Sequence, residues 1–379
     1  MDEDSKQIGK GNKKLLESNI GVFYKIDIVV IGAGQAGLSA AYYLKKAGLI
    51  PGKGFVVLDD EFGAGGAWQH RWDSLTLQNV NGINDLPGMS FSDTVDTQDK
   101  ELQANIALPQ YYEHYERTFD LPIIRPIKVN KVIERNGRFL VYTNGTQFSA
   151  RGIINATGTW KTPYCPKYPG WERFQGKQLH TGDYKSAEEF AGKHVIVVGG
   201  GISAVQLLGE ISKVAKTTWV TRRPPDFRHH EFTAELGREA VAMVDQRVRE
   251  GLPPDSVVSV TGLPITPAIE WMFKKGILER KPMFKEFTET GVRWEDGSSL
   301  DADVVFWNTG FRHSLDHLAP LHLMNEQGGI PMSGQLATQV ASDHRIHLTG
   351  YGPSASTIGA NRAGRAAARE LIAHLGLFK

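Results

Sequence analysis

Two glycine-rich turns carry the plainest chemistry in this chain. The first, Gly32-Ala33-Gly34-Gln35-Ala36-Gly37, has the spacing G-x-G-x-x-G. A β-branched run at residues 26–31 precedes it, and an Ala/Leu-rich stretch at 38–47 follows. Strand, turn and helix in that order bring a pyrophosphate to a helix N-terminus. Gly32 permits the tight turn, Gly34 lets backbone approach the phosphates, and Gly37 permits close helix–strand packing. The helix start at Gln35 and Ala36 offers free N–H groups and positive partial charge. A second apolar run at 55–58 ends in Asp59, where a carboxylate can accept from ribose hydroxyls.

The arrangement recurs further along. A strand at 194–198 leads into Gly199-Gly200-Gly201-Ile202-Ser203-Ala204, and a helical stretch follows at 205–211. Alanine at the third glycine's place is a common variant. The next strand, 217–221, ends in Arg222 and Arg223 rather than an acid. An acid there repels a 2′-phosphate, whereas arginine pairs with one bidentately. This points to NADPH rather than NADH. The other reading is that both arginines sit on a solvated loop.

Composition sets the outer bounds. The chain has 379 residues, 41% apolar and 22% charged, with a net charge of +1. That length suits two ordinary domains, and the charge gives no sign of a nucleic-acid partner. No apolar run reaches the roughly 18–20 residues of a membrane span. Residues 1–24 are polar and Lys-rich without an apolar signal core, so they read as a leader, possibly disordered, on a cytoplasmic protein. Cys165 is the one cysteine, which excludes an internal disulfide or a dithiol redox pair.

Further motifs lie between the turns. Gly65-Gly66-Ala67-Trp68 suits close approach to a flat ring system, although Trp68 reads equally as a packing residue. Phe174-x-Gly176-x-x-x-His180-x-x-x-Tyr184 follows. On a helix His180 and Tyr184 would share one face. In isolation His180 is more readily a structural histidine than a catalyst. Each half of the chain also carries a hairpin signal, Asn144-Gly145 and Asp296-Gly297. An apolar strand ending in Thr-Gly follows each, at 152–158 and 303–310.

Taken together, residues 32–37, 65–68, 174–184 and 199–204 stand in the order and spacing of flavin-containing monooxygenases. The chain resembles that family, the class B flavoprotein monooxygenases. The stretches 157–160, 217–221 and 308–312 are similar to a short bacterial subgroup. Related Baeyer–Villiger enzymes carry tryptophan where this chain has Tyr184.

The resemblance implies an α/β fold with two Rossmann-like dinucleotide-binding domains. An FAD domain, 25–165 and 301–379, holds an inserted NADPH domain, 166–300. It implies FAD near Gly32, Gly34, Gln35, Ala36, Gly37, Asp59, Gly66, Trp68, Gln78, Val129, Ala156, Thr157, Gly158, Gly350 and Gly352. It places NADPH near Gly199, Gly201, Ile202, Ser203, Ala204, Arg222, Arg223 and Gly310. NADPH then reduces the flavin, a C4a-hydroperoxide forms with O2, and one oxygen passes to a thioether or amine. Asn79 is the candidate for the family's asparagine over the flavin, with Asn81 second; Asn81-Gly82 also reads as a turn. Catalytic roles are expected of Asn79, His180 and Tyr184.

Two departures keep alternatives open. The asparagine lies in Gln78-Asn79-Val80-Asn81 rather than Thr-Asn-x-Pro. Residues 350–359 form a shorter loop than the subgroup's, which exposes the flavin and favours release of hydrogen peroxide. An NADPH-dependent flavin oxidase and a non-catalytic redox sensor are the competing readings. Residues 224–285 are expected to form helices and loops over the cleft. The expected partners are a small substrate and O2, with no metal, on a monomer or homodimer.

Overall fold

The computed structural model describes residues 23–80, 82–228, 234–254 and 262–377. Asn81, His229-His230 and the leader up to residue 22 lie outside the described residues. Phe23 and Tyr24, expected in the leader, already belong to the first strand.

That strand, β1 (Phe23–Ile31), is flanked by β2 (Phe55–Leu58) and β6 (Gln147–Asn155), both parallel to it. Ile28, Val29, Val30 and Ile31 are all buried, as a parallel strand covered on both faces requires. β3 (Ile123–Ile124) extends one side of this sheet. On the other side lie β19 (Asp343–Leu348), β18 (Gln339–Val340) and β17 (Met332–Ser333). β4 (Val129–Arg135) and β5 (Arg138–Thr143) form the first hairpin, which joins the sheet through β6. The second hairpin arm and the apolar strand after it are thus one continuous strand, β6.

Helix α1 (Gln35–Lys46) packs against α6 (Thr357–His374) over this sheet. Gly364 makes the crossing possible, because a Cβ there would lie 2.6 Å from Ser39 Oγ. Helix α2 (Ala104–Thr118) buries Tyr111, Tyr112 and Tyr115. Tyr111 accepts from the Leu86 amide and donates to the Met89 carbonyl, which pins the 86–89 loop.

The second sheet has the order β12 (Arg280–Pro282), β9 (Lys216–Thr221), β8 (His194–Val198), β16 (Val304–Trp307), β7 (Lys177–His180). Helix α3 (Ile202–Ile211) follows its glycine turn. β16 pairs with β8 and β7, so the strand expected to resume the first unit after residue 300 belongs to the second sheet. Its run Val304–Trp307 is fully buried, which needs covering on both faces. The second hairpin signal forms β14 (Gly291–Arg293) and β15 (Ser299–Asp301), with β13 (Glu286–Phe287) beside β14. Residues 224–285 contain a short pair, β10 (Phe227–Arg228) with β11 (Leu263–Pro264), and helices α4 (Ala234–Arg249) and α5 (Pro267–Lys274). α4 reaches back to the first unit: Val248 packs where a Cβ on Gly352 would come within 3.0 Å.

The chain crosses between the sheets twice, and the crossings are zipped together. Tyr164 N donates to Gly310 O at 3.0 Å, Arg312 N to Thr162 O at 2.8 Å, and Ser314 N to Gly158 O at 3.0 Å. Among the described residues, no helix is long and apolar enough to cross a membrane.

One buried ion cluster ties β2 to α2. Arg125 Nε donates to Asp59 Oδ2 at 2.5 Å, and its two Nη groups donate to the Glu116 carboxylate at 2.6 and 2.8 Å. Burial raises both carboxyls above their ordinary range, and Arg125 opposes that rise. We expect Arg125→Gln to cost about 3–5 kcal/mol, because it strands two buried carboxylates. An acid whose folded pKa is raised costs stability above that pKa, and the cost fades as pH falls through it. The deficit of Arg125→Gln should therefore be larger at pH 8 than at pH 5. Urea titrations at both pH values measure it; an equal deficit refutes the account.

Candidate functional site

The two glycine turns share one geometry, and it follows from crowding. At Gly32, φ is +99° and a Cβ would lie 2.5 Å from the Ala156 carbonyl oxygen, just past β6. At Gly199, φ is +143° and a Cβ would lie 2.3 Å from the Asn308 carbonyl oxygen, just past β16. The second glycine of each turn is the opposite case. A Cβ on Gly34 or Gly201 would meet nothing within 4 Å. Each is the N-cap of its helix, and neither makes a side-chain cap bond. Uncapped N–H groups at α1 and α3 thus face open space, the cradle a dinucleotide phosphate needs.

The first turn opens into a cleft of about 690 Å³. Its walls bring together Gly32, Gly34, Gln35, Ala36, Asp59, Gly66, Trp68, Val129, Ala156, Thr157, Gly158 and Gly350. Gly37 lies behind the wall, where a Cβ would stand 1.9 Å from the Gly32 carbonyl oxygen. Gly352 is also off the wall, beneath Val248. Asp59 Oδ1 faces the turn and accepts from the Ala33 amide at 3.4 Å, while Oδ2 is taken by Arg125. These residues fit an FAD adenosine diphosphate: a backbone cradle, an adjoining carboxylate, and room for the rings.

Gln78 and Asn79 do not line the cleft. Both are exposed, and the Asn79 amide is spent locally. Its Oδ1 accepts from Thr76 N at 2.8 Å, and its Nδ2 donates to Ser74 O at 2.9 Å. The local asparagine turn outcompetes a reach toward the cleft.

His180 and Tyr184 are not on a helix. His180 ends β7, a 3₁₀ turn covers Thr181–Asp183, and Tyr184 follows it. His180 Nδ1 accepts from Gly182 N at 3.1 Å, which leaves Nε2–H to donate to Gly310 O at 2.9 Å. Burial holds the imidazole below its ordinary pKa, so it is neutral with both nitrogens engaged. Tyr184 is buried and donates to Glu210 Oε2 at 2.9 Å. Ser74 donates to the same oxygen at 2.7 Å, so Glu210 joins the two units. Burial and Glu210 both push the Tyr184 phenol up.

Arg222 and Arg223 are exposed just past β9, beside the second turn; Ile202 and Ser203 open α3, and Ala204 is buried beneath it. Gly310 serves as the His180 acceptor.

Arg71, Lys161 and His317 on the wall carry no sequence signal. Arg71 is half-buried, its guanidinium lies 4.3 Å from the Trp160 ring, and its Nε has no hydrogen-bond partner among the described residues. Burial lowers its pKa to about 10. Trp160 stacks on Phe311 at 4.8 Å. Lys161 Nζ bridges Asp60 and Glu61, each at 2.7 Å. His317 pairs with Asn155 Oδ1 at 2.7 Å, and burial pushes its pKa down to about 4.

Residues 29–350 match the family model for pyridine nucleotide-disulphide oxidoreductases. A solved flavin-containing monooxygenase from Stenotrophomonas maltophilia is 35% identical, with a TM-score of 0.77, over 92% of this chain and 99% of that one. The chain belongs to this family, as a flavin-containing monooxygenase-like member. An uncharacterized oxidoreductase CzcO of Bacillus velezensis is 29% identical over 80% of this chain and 86% of its own length. Indole-3-pyruvate monooxygenase YUCCA1 of Oryza sativa is 27% identical over 76% and 77%. The flavin-containing monooxygenase-like chain is therefore an FAD- and NADPH-dependent oxidoreductase of the monooxygenase type. Its single Cys165 has a thiol pushed up by burial and supplies no internal dithiol.

The two glycines give a paired test. Gly34 has φ −75°, so Gly34→Ala brings no backbone strain. It should fold with an unchanged melting temperature as apoprotein yet lose FAD on gel filtration. Gly37→Ala should yield little folded protein. Full FAD retention by Gly34→Ala would falsify the cradle.

Proposed function

We propose that this protein uses NADPH and O2 to transfer one oxygen atom to a soft nucleophile, a thioether or an amine. The observation that carries the reading is the pair of equivalent glycine cradles, with arginines past one and a carboxylate past the other. Gly32, Gly34, Gln35, Ala36 and Asp59 hold the FAD diphosphate and ribose, with Gly66, Trp68, Val129 and Ala156–Gly158 along its length. Gly199, Gly201, Ile202 and Ser203 hold the NADPH diphosphate, and Arg222 and Arg223 take its 2′-phosphate. Bound FAD supplies hydride acceptance and oxygen activation. The chain supplies binding, alignment and exclusion of water. His180 acts at one remove, fixing Gly310 and with it Phe311 against Trp160. Tyr184 fixes Glu210 and through it the two units.

The oxidase reading has one observation in its favour. Asn79 spends its amide on Ser74 and Thr76, so that amide is not aimed into the cleft. One assay separates the two. NADPH consumption with methyl p-tolyl sulfide present should yield sulfoxide; hydrogen peroxide equal to the NADPH consumed, without sulfoxide, overturns oxygen transfer.

Coenzyme choice is a separate measurement. Arg222→Ala should raise KM for NADPH by roughly tenfold or more, the effect of about 1–3 kcal/mol of charge-assisted bonding. KM for NADH should stay unchanged. Equal effects on both coenzymes refute the assignment.

A further inference from the structure

A third arginine converges on the strand end that carries Arg222 and Arg223. Arg280 opens β12, next to β9, and lies opposite Trp219 in the parallel register. Its half-buried side chain runs toward the C-terminal end of β9, where Nε donates to Thr221 Oγ1 at 2.7 Å. Thr221 Oγ1 donates in turn to the Arg223 carbonyl at 2.8 Å. Arg280 therefore holds the residue from which the arginine pair departs.

The same strand end borders the second glycine turn. A Cβ on Gly200 would come 3.7 Å from Thr221 Cγ2 and 3.1 Å from Pro225 Cγ. Ligands of parallel sheets bind beyond the carboxyl ends of the strands; Arg222 and Arg223 follow that end of β9, and the Arg280 side chain is tied to it through Thr221. Among the described residues, none of the three forms an ion pair, and the Arg280 Nη groups make no hydrogen bond. Asp226, the acid in the loop that follows, is engaged by Arg228 at 2.7 Å. Arginines near one strand end without a carboxylate paired to them favour an anion there.

We propose that Arg280 is a coenzyme-specificity residue, the third arm of a clamp on the 2′-phosphate of NADPH. The proposal rests on the reading of Arg222 and Arg223 as the phosphate side of that coenzyme. Arg222 and Arg223 are exposed and must be ordered on binding. Arg280 is already tethered by Thr221, so its contribution comes with less conformational loss. Arg222 and Arg223 leave the end of β9, and Arg280 on the adjacent β12 is tied to the last residue of β9.

The test is calorimetric titration of the FAD-loaded protein with 2′,5′-ADP, and with 5′-ADP as the probe lacking the 2′-phosphate. Arg280→Gln should weaken 2′,5′-ADP by about tenfold, as loss of one charge-assisted arm implies, and leave 5′-ADP unchanged. Arg280→Lys, which keeps the charge but loses the fork, should lie between it and the parent. Unchanged flavin absorbance and melting temperature establish that the variants are folded. Parent-like binding of 2′,5′-ADP by Arg280→Gln, or equal loss of both probes, overturns the proposal. Arg222→Ala and Arg223→Ala run beside it separate the two levels. If neither weakens 2′,5′-ADP, the phosphate reading itself falls; if they weaken it and Arg280→Gln does not, Arg280 is only a strand tie.

Discussion

The whole cleft depends on one close approach. The carbonyl of Gly32 stands where a side chain on residue 37 would be, and the Ala156 carbonyl stands where a side chain on residue 32 would be. Only with hydrogens at both positions can the ends of β1 and β6 and the start of α1 meet. Once they meet, the uncapped helix N-terminus has a fixed aim and Gly34 is left facing open space. The second turn repeats the first contact against Asn308. Ala156-Thr157-Gly158 and Asn308-Thr309-Gly310 are thus equivalent strand exits, each wedged by the first glycine of its own turn.

Those two exits are also where the units meet. The antiparallel zipper from Gly158 to Ser314 holds the crossings side by side. His180 adds a bond from β7 to Gly310, and Glu210 gathers Tyr184 from the second unit and Ser74 from the first. The His-x-x-x-Tyr spacing therefore places two side chains at two inter-unit joints, not on one helical face. Both are buried with their polar atoms engaged, a state suited to alignment rather than proton transfer.

What could be read from sequence was local. Gly-x-Gly turns, β-branched runs and Asn-Gly and Asp-Gly hairpins each depend on neighbours a few residues away, and the structure has them where the chain pattern puts them. The differences share a cause. The boundary near residue 300 leaves β16 out of the second unit because adjacency in sequence says nothing about which strands it pairs with. Asn79 is expected over the flavin only through the family resemblance, while its amide finds nearer partners in Thr76 N and the Ser74 carbonyl. Arg125, Arg71 and Lys161 carry no motif: each matters through partners brought close by the fold.

Arg71 shows what such a partner-dependent residue contributes. Lys161 on the cleft wall is neutralised twice over, by Asp60 and Glu61. Asp59 shares Arg125 with Glu116. Unlike Lys161 and Arg125, Arg71 has no carboxylate partner among the described residues, and Trp160 gives it only the weaker attraction of an aromatic face. A guanidinium with a shielded, unbonded Nε is costly. Arg71 therefore puts one unpaired cation on the cleft wall, in addition to the partial charge of α1. An anionic dinucleotide relieves that cost on binding, so the electrostatics that weaken the empty wall are the same ones that favour its occupant.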